Sequence, residues 1–325
     1  MKTKISIDLV IPTHNRSRSG LLQRTLTSLV KLQTNDEIDV QAYIVANACN
    51  DNSKEVVEYF QKISPIPILY FEEYVPGKSY ALNLGISKGL GEWIAFFDDD
   101  EIISTDWLIE FSKKRDEKEF DFCAGHHIAD FEVLPPEWLP PSNSISIIAC
   151  HDEKIQQQPL SLEDAIFWGG NCVVKRSAIN TVGEFDNILG RSGIRKALGC
   201  EDFDMQHRLL KAGFSGWYFP TLRILHWVPE SRLNKKYFRY WMFWSGYSAR
   251  QFYFLKEYEK SHDKLWFGIP RWNYKNILKA IYAHLDNCIT LSESKNIFDS
   301  ELKLRWYLGY FLARYDEFNN KKNIR

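Results

Sequence analysis

The chain has 325 residues, 45% hydrophobic and 26% charged, with a formal charge of −1 and a pI near 6.7. These values exclude a disordered or collagen-like chain, and the near-zero total excludes whole-protein electrostatic capture of nucleic acid. The total hides an asymmetry: residues 1–230 carry 23 basic and 33 acidic side chains, net −10, and residues 231–325 carry 18 and 9, net +9, so two regions with different partners are expected.

Ile5 to Ile11 is an apolar run closed by Pro12, and Leu22, Leu26, Leu29 and Val30 then recur at helical spacing, which predicts a strand followed by a helix. Val40 to Ala46 is a second strand. Asn52-Ser-Lys-Glu55 has the form of a capping box opening a helix through Phe60. Ile66 to Phe71 is a third strand, Ser79 to Lys88 a helix and Glu92 to Phe97 a fourth strand. The order βαβαβαβ predicts an α/β fold with a mostly parallel, doubly wound sheet, and such sheets bind ligands beyond the carboxyl ends of their strands.

The pattern then loosens. Leu134-Pro-Pro-Glu-Trp-Leu-Pro-Pro141 reads as a rigid connector, Ser144 to Cys150 as a strand, Gln156 to Pro159 as loop and Cys172 to Lys175 as a strand. Glu201 to Lys211 is a helix stopped by Gly213, and Thr221 to Leu225 is strand-like. Past Arg232 the chain is helical, aromatic and basic, with 11 of the 22 residues from Tyr237 to Tyr258 aromatic. The expected organisation is a domain over 1–230, with halves of about 1–125 and 126–230, and a helical extension over 231–325. If Arg232 to Tyr258 is one helix, Arg232, Lys235, Lys236, Arg239 and Arg250 fall within an arc of about 100°. Such a face suits peripheral contact with an anionic membrane through 232–258, or packing on the sheet with the basic stripe toward the acidic lobe.

No stretch approaches ~18 uninterrupted apolar residues, and Met1-Lys-Thr-Lys-Ile5 enters a strand pattern without a signal peptide's apolar core. The six cysteines show no zinc spacing and read as reduced thiols. The expected location is the cytoplasm, with peripheral contact at the inner face of the membrane.

Four acidic side chains, Asp98 to Glu101, follow the fourth strand. They repel one another unless a cation sits among them, and hard oxygen donors suit Mg²⁺ or Mn²⁺, ions that bridge phosphate oxygens in nucleotide enzymes. A solvated acidic turn is the plain alternative. Glu201 and Asp202 open a helix whose dipole stabilises a carboxylate, as catalytic groups or as simple caps. Arg191, Arg195 and Lys196 precede them on a Gly-containing loop, to clamp a diphosphate or charged acceptor or merely to be solvated. Trp168-Gly-Gly-Asn171 sets an indole beside a stretch without bulk, suited to stacking on a sugar or to a core.

Val10-Ile-Pro-Thr-His-Asn-Arg16, Gly77-Lys-Ser-Tyr-Ala-Leu-Asn83, Phe97-Asp-Asp-Asp100, Gly170-Asn171, Glu201-Asp202 and His226, in that order, resemble the signatures of family-2 glycosyltransferases over about residues 5 to 250. The resemblance implies a single GT-A fold, a nucleotide-activated sugar, Mg²⁺ or Mn²⁺, and transfer with inversion. It makes Asp98-x-Asp100 the DxD motif, with Asp100 a metal ligand and Asp98 or Asp99 on the ribose. Pro12, Thr13, Asn15 and Lys78 would line the nucleotide pocket, His226 would be a second metal ligand and Asp202 the base. Trp168, Gly170, Asn171 and Glu201 would meet the acceptor. Many relatives carry Asp-Asn-x-Ser-x-Asp where this chain has Ala46-Asn-Ala-Cys-Asn-Asp51; Ala46 cannot accept a hydrogen bond through its side chain, which leaves Asn47 for the base contact. A UDP-sugar is the favoured donor, with GDP- and dTDP-sugars open. The acceptor is expected to be a saccharide or lipid-linked saccharide of glycan, polysaccharide or glycolipid biosynthesis.

Three rivals are weaker. Asp98-x-Asp100 after an apolar strand also fits a phosphatase of the haloacid dehalogenase type, but Ile102 stands where that motif has Thr or Val, and the strand is the fourth rather than the first. Gly77-Lys-Ser79 suggests a P-loop, which requires Gly where Glu72 stands. A non-catalytic sugar-binding protein has no use for Asp100 and Asp202 together.

Overall fold

The structure, a computed structural model, describes residues 4–139, 144–162, 166–190, 199–255, 265–267 and 269–322. In chain order the first elements are β1 (Ile5–Thr13), α1 (Leu21–Val30), β2 (Ile38–Asn47), α2 (Ser53–Ile63), β3 (Ile68–Glu73), α3 (Lys78–Lys88) and β4 (Trp93–Phe96). There follow β5 (Glu101–Ile103), α4 (Trp107–Glu117), β6 (Phe122–Phe131), α5 (Ser144–Ile147), β7 (Gln158–Pro159), β8 (Cys172–Lys175), α6 (Arg176–Val182), α7 (Glu201–Lys211) and β9 (Gly216–Val228). The chain divides into two compact units, the first Met1–Asp130, Cys150–Gly193 and Glu201–Trp227, the second Phe131–Ala149, Ile194–Cys200 and Val228–Arg325.

The first unit is built on a sheet of order β3-β2-β1-β4-β8-β6-β9-β5, with β7 beside β9. Strands β3, β2, β1 and β4 are parallel, the half that apolar periodicity predicts. Strand β8 runs antiparallel to β4, and β5 antiparallel to β9. Alternation along β1 sends Ile5, Ile7, Leu9 and Ile11 to one face, where they pack with Leu22 and Leu26 of α1, Val57 of α2 and Phe111 of α4. Val10 faces the other side, with Leu82 of α3, Ile179 of α6 and Leu209 of α7. Both faces of β1 and β4, at the centre of the parallel half, are thus buried, as parallel sheets require.

Asp8 sits on that second face, 4% exposed. Its carboxylate accepts from Arg176 Nη2 at 2.6 Å and from the Gly91 amide at 2.8 Å, while Arg176 also donates to the carbonyls of Gly91 and Ile86. A buried carboxylate stripped of its guanidinium keeps its desolvation cost without compensation. Arg176→Met is therefore expected to cost about 3 kcal/mol in urea unfolding; a loss below about 0.5 kcal/mol, the size of an ordinary surface change, would show that Asp8 does not depend on it.

The capping box does not form. Asn52 Oδ1 accepts from Ser17 Oγ, and the α2 N-terminus is served by Asp51, which accepts from the Ser53 amide and hydroxyl. Its proximity to Ser17 redirects the side chain that the local pattern assigned to capping.

In the second unit, α8 (Lys235–Leu255) is followed by the two-stranded β10 (Leu265–Trp266) and β11 (Ile269–Pro270), then α9 (Arg271–Ile289) and α10 (Ser294–Lys322). The expected strand over 144–150 is instead the short helix α5, and 131–149 group with the C-terminal helices: Trp138 packs edge-on against Phe238 of α8 and Phe298 of α10. Helices α8 and α10 approach closely enough that a Cβ at Gly246 would overlap the Trp306 carbonyl and one at Gly309 the Phe243 carbonyl. Arg239 binds Glu301 through two hydrogen bonds of 2.7 and 2.8 Å, and Arg250, buried, lies over the Tyr310 ring. Of the described aromatic residues on α8, Phe238 and Phe252 are buried, Phe238 against Phe298 of α10. Among the described residues no helix is long and apolar enough to cross a membrane.

Candidate active site

Strand order reverses between β1 and β4, and the carboxyl ends of strands at such a reversal are where α/β sheets bind ligands. Asp98, Asp99 and Asp100 fill the connection from β4 to β5. Because β5 pairs with β9 in the register Glu101↔His226, and the Trp227 amide donates to the Asp100 carbonyl, His226 is brought to Asp100, with Nε2 3.9 Å from Oδ1. Two residues 126 positions apart meet through a ladder that no local pattern announces.

The acidic string is compensated from three sides. Arg16 lies 3.5 Å from both Asp99 and Asp100, the His14 amide donates to Asp99 at 3.1 Å, and Lys78 Nζ stands 2.5 Å from Asp98 Oδ1. Burial, reinforced by Asp100, still pushes Asp99 up to about 7. Burial works against the charge on Lys78, but Asp98, Glu201 and Asp202 outweigh it and hold the ammonium above its usual pKa.

Lys78 is at the first turn of α3 because Asn47 staples the loop before it: Asn47 Oδ1 accepts from the Gly77 amide at 2.8 Å and Nδ2 donates to the Val75 carbonyl at 2.7 Å. Asn47, expected to meet the base, spends both ends of its amide on this loop. Pro12 and Thr13 end β1, buried. Asn15, in the left-handed region at φ 54, accepts from the Asn50 amide through its side chain and so joins the loops after β1 and β2.

Asp202 lies in the first turn of α7, and its Oδ2 accepts from the Gly169 amide at 2.9 Å. Burial raises its pKa above the ordinary carboxylate value, against the pull of Lys78 and of the Phe203 and Gly169 amides. Glu201 beside it is buried. Two residues expected at the acceptor belong to the scaffold. Asn171 is 1% exposed, accepts from Trp107 Nε1 and donates to the Leu222 and His126 carbonyls, which saturates its amide. Gly170 is buried where any Cβ would overlap Glu101 Oε1. Trp168, half-buried, stacks on His151 at 4.0 Å. Arg191, Arg195 and Lys196 lie outside the described residues.

Comparison with known proteins decides the family. The model of glycosyl transferase family 2 matches residues 8–183, more than half of the chain. The chain belongs to glycosyl transferase family 2. It is 24% identical over 233 residues to the succinoglycan biosynthesis protein ExoM of Rhizobium meliloti, covering 71% of this chain and 69% of that protein. It is 24% identical over 248 residues to a glucosyl-dolichyl phosphate glucuronosyltransferase of Haloferax volcanii, covering 76% and 77%. Its fold is that of the mannosyltransferase PcManGT from Pyrobaculum calidifontis, solved with GDP-Man and Mn²⁺: TM-score 0.62 at 14% identity, over 97% of this chain and 87% of that one. This family-2 member is a glycosyltransferase with a GT-A fold, and the phosphatase reading of Asp98-x-Asp100 is set aside.

Beneath the site of this glycosyltransferase lie Glu101, which the sequence showed only as the last of the acidic string, and buried histidines that sequence reasoning missed. Glu101 accepts from the Asp98 amide at 2.9 Å, and burial, with Asp98 adding, holds its carboxyl well above the ordinary range. His127 donates from Nε2 to the Gly170 carbonyl at 2.7 Å, and its Nδ1 is 4.0 Å from Glu101. His126 and His127 are neighbours on β6 and His151 follows 24 residues later, a spacing that carries no signal; the bond from the His151 amide to the His127 carbonyl brings the third imidazole to the other two. Arg16 did carry one, inside the Val10 to Arg16 motif.

His151 has its tautomer dictated by its partners. Nδ1 accepts from the His127 amide at 3.0 Å, so Nε2 carries the hydrogen and donates to the Ile166 carbonyl at 3.1 Å. A second proton would have to enter at Nδ1, against an N–H. Burial accordingly lowers its pKa to about 3 from 6.5. The unfolded chain binds this proton first, so the stabilisation is complete above pH ~6.5 and is lost as pH falls toward ~3. The advantage of wild type over His151→Gln in urea unfolding is expected to shrink by about 2 kcal/mol between about pH 7.5 and 5; an advantage independent of pH would contradict a buried neutral imidazole.

Proposed function

We propose that the chain transfers a sugar from a nucleoside-diphosphate sugar to an acceptor hydroxyl in a single displacement with inversion, with Asp202 as the base and Mg²⁺ or Mn²⁺ at Asp100 and His226. The observation that carries this reading is a convergence: Asp98, Asp100, Lys78 and His226 gather at the end of one parallel strand, and the Asp202 carboxylate acts electrostatically on the same Lys78.

The donor set fits such an ion. At 3.9 Å, Asp100 Oδ1 and His226 Nε2 are too far apart to hydrogen-bond and near enough to share one cation. Among the described residues no three His, Cys, Asp or Glu side chains form a closed cage, and Mg²⁺ in nucleotide enzymes takes one or two protein ligands with phosphate oxygens and water. When bound, the ion supplies positive charge against the diphosphate leaving group. Lys78 adds a fixed charge, Arg16 keeps Asp99 and Asp100 from repelling each other, and Asp98 or Asp99 takes the ribose. Pro12, Thr13 and Asn15 line the nucleotide, and Asn47 shapes that pocket through the loop it staples. Asp202 takes the proton of the attacking hydroxyl; a carboxylate raised by burial is a better base near neutral pH than a solvated one. Glu201 and Trp168 meet the acceptor. The name of the Haloferax relative favours a lipid-linked saccharide, and six free cysteines suit the reducing cytoplasm, where we place the reaction. Proton NMR of the first product formed tests the displacement: the donor's anomeric configuration should be inverted, and a retained one contradicts a single base at Asp202.

A further inference from the structure

We infer that α9 and the hairpin tip before it form a docking surface for an anionic lipid bilayer. Of the basic face expected on α8, three of the five side chains are engaged within the unit. Arg239 is held by Glu301, Arg250 is buried, and Lys235 lies over the rings of Trp138 and Phe298. A more continuous open surface lies on the next helix.

Along α9, Leu278, Ile281, Tyr282, Leu285 and Ile289 are all exposed, Leu278 by 65% and Ile289 by 79%. At 100° per residue they fall within an arc of about 100°. Burial was available in this unit for Phe238, Phe298 and Leu302, so a continuous apolar stripe left in water marks an interaction surface. Arg271, Lys275 and Lys279 lie on the stripe or along one of its edges, exposed, against a single carboxylate, Asp286, on that side. Apolar centre and basic flank are the two halves of an interfacial helix.

The hairpin tip extends the stripe at its N-terminal end. Phe267 is 90% exposed and Trp266 more than half exposed. The tip is nonetheless held: Arg314 donates to the Phe267 carbonyl at 2.9 Å, Tyr274 Oη to the Trp266 carbonyl at 3.0 Å, and Arg271 covers the Trp266 ring. Two exposed aromatic rings on a held backbone at the head of a basic apolar stripe suit the lipid interface, where Trp concentrates. The occupant is chosen by charge: residues 231–325 carry net +9, and each Lys or Arg at an anionic leaflet strengthens partitioning about fivefold (~1 kcal/mol).

Flotation of the full chain with vesicles of phosphatidylcholine, with and without phosphatidylglycerol, tests this. Binding should require the anionic lipid and weaken with salt. Lys275→Ser with Lys279→Ser should lower partitioning by about 25-fold, about fivefold per charge, and Leu278→Ser with Leu285→Ser should abolish it. These side chains are exposed, so unfolding midpoints should not move. Lys236→Ser on α8 should bind as wild type does. Asp202→Asn should also bind normally, which separates this inference from the transfer chemistry. Absence of binding at low salt overturns it, as does loss of binding in the α8 variant alone, or a dimer in solution that the Leu278 and Leu285 changes dissociate.

Discussion

Asp202→Asn is expected to lower turnover by roughly 10²–10⁴-fold, the contribution of a positioned general base, while nucleotide-sugar binding survives. Asparagine keeps the size of the side chain and can still accept from the Gly169 amide through its oxygen. It cannot take a proton. The change should therefore fall on kcat, with KM for the donor little altered. The pH profile gives a second readout. Because burial raises the Asp202 carboxyl, wild-type turnover should fall as pH drops through a value above the ordinary carboxylate range, and this acid limb should vanish from the residual activity of the variant. Near-normal turnover would move the base to Glu201 or elsewhere.

Asp100→Ala should lose metal-dependent nucleotide binding. Removing a partner one shell outside a metal costs about 10–100-fold in affinity, so removing a ligand should cost at least that. Calorimetry of a nucleoside diphosphate with and without Mn²⁺ reads it directly: wild type should bind tightly only with metal, EDTA should erase the difference, and the variant should resemble wild type without metal. The proposed ligand at His226 predicts a similar, smaller loss for His226→Ala. Undiminished metal dependence in Asp100→Ala would remove the acidic string from the chemistry.

The parallel half of the sheet was legible because β1, β2, β3 and β4 are apolar runs separated by helical periodicity, and the position of Asp98 to Asp100 at the end of β4 followed from that alone. The antiparallel extension was less so. Strands β6 and β9 carry polar residues among apolar ones, and β5 is three residues long. Ser144 to Cys150 alternates like a strand, but Ile147 and Ile148 are buried side by side, which a short helix against α8 allows and an alternating strand does not. The acceptor assignments of Gly170 and Asn171 shared a common weakness: a motif records that a residue type is required and not whether packing or substrate requires it. Asn171 holds Trp107, Leu222 and His126 together, and Gly170 makes room for Glu101. The engagement of Arg239 on α8 was hidden in the same way, since its partner Glu301 is 62 residues away and only the helix pairing brings it near.

The central claim is that this site turns over a nucleotide sugar with a divalent ion. Its most direct test is nucleoside diphosphate release from UDP-, GDP- and dTDP-sugars, each with Mn²⁺ and with EDTA, in wild type beside Asp100→Ala and Asp202→Asn. One donor should be turned over in wild type with Mn²⁺ only, and both variants should fall toward the background. Release from no donor, or release that survives EDTA and both substitutions, would contradict the account.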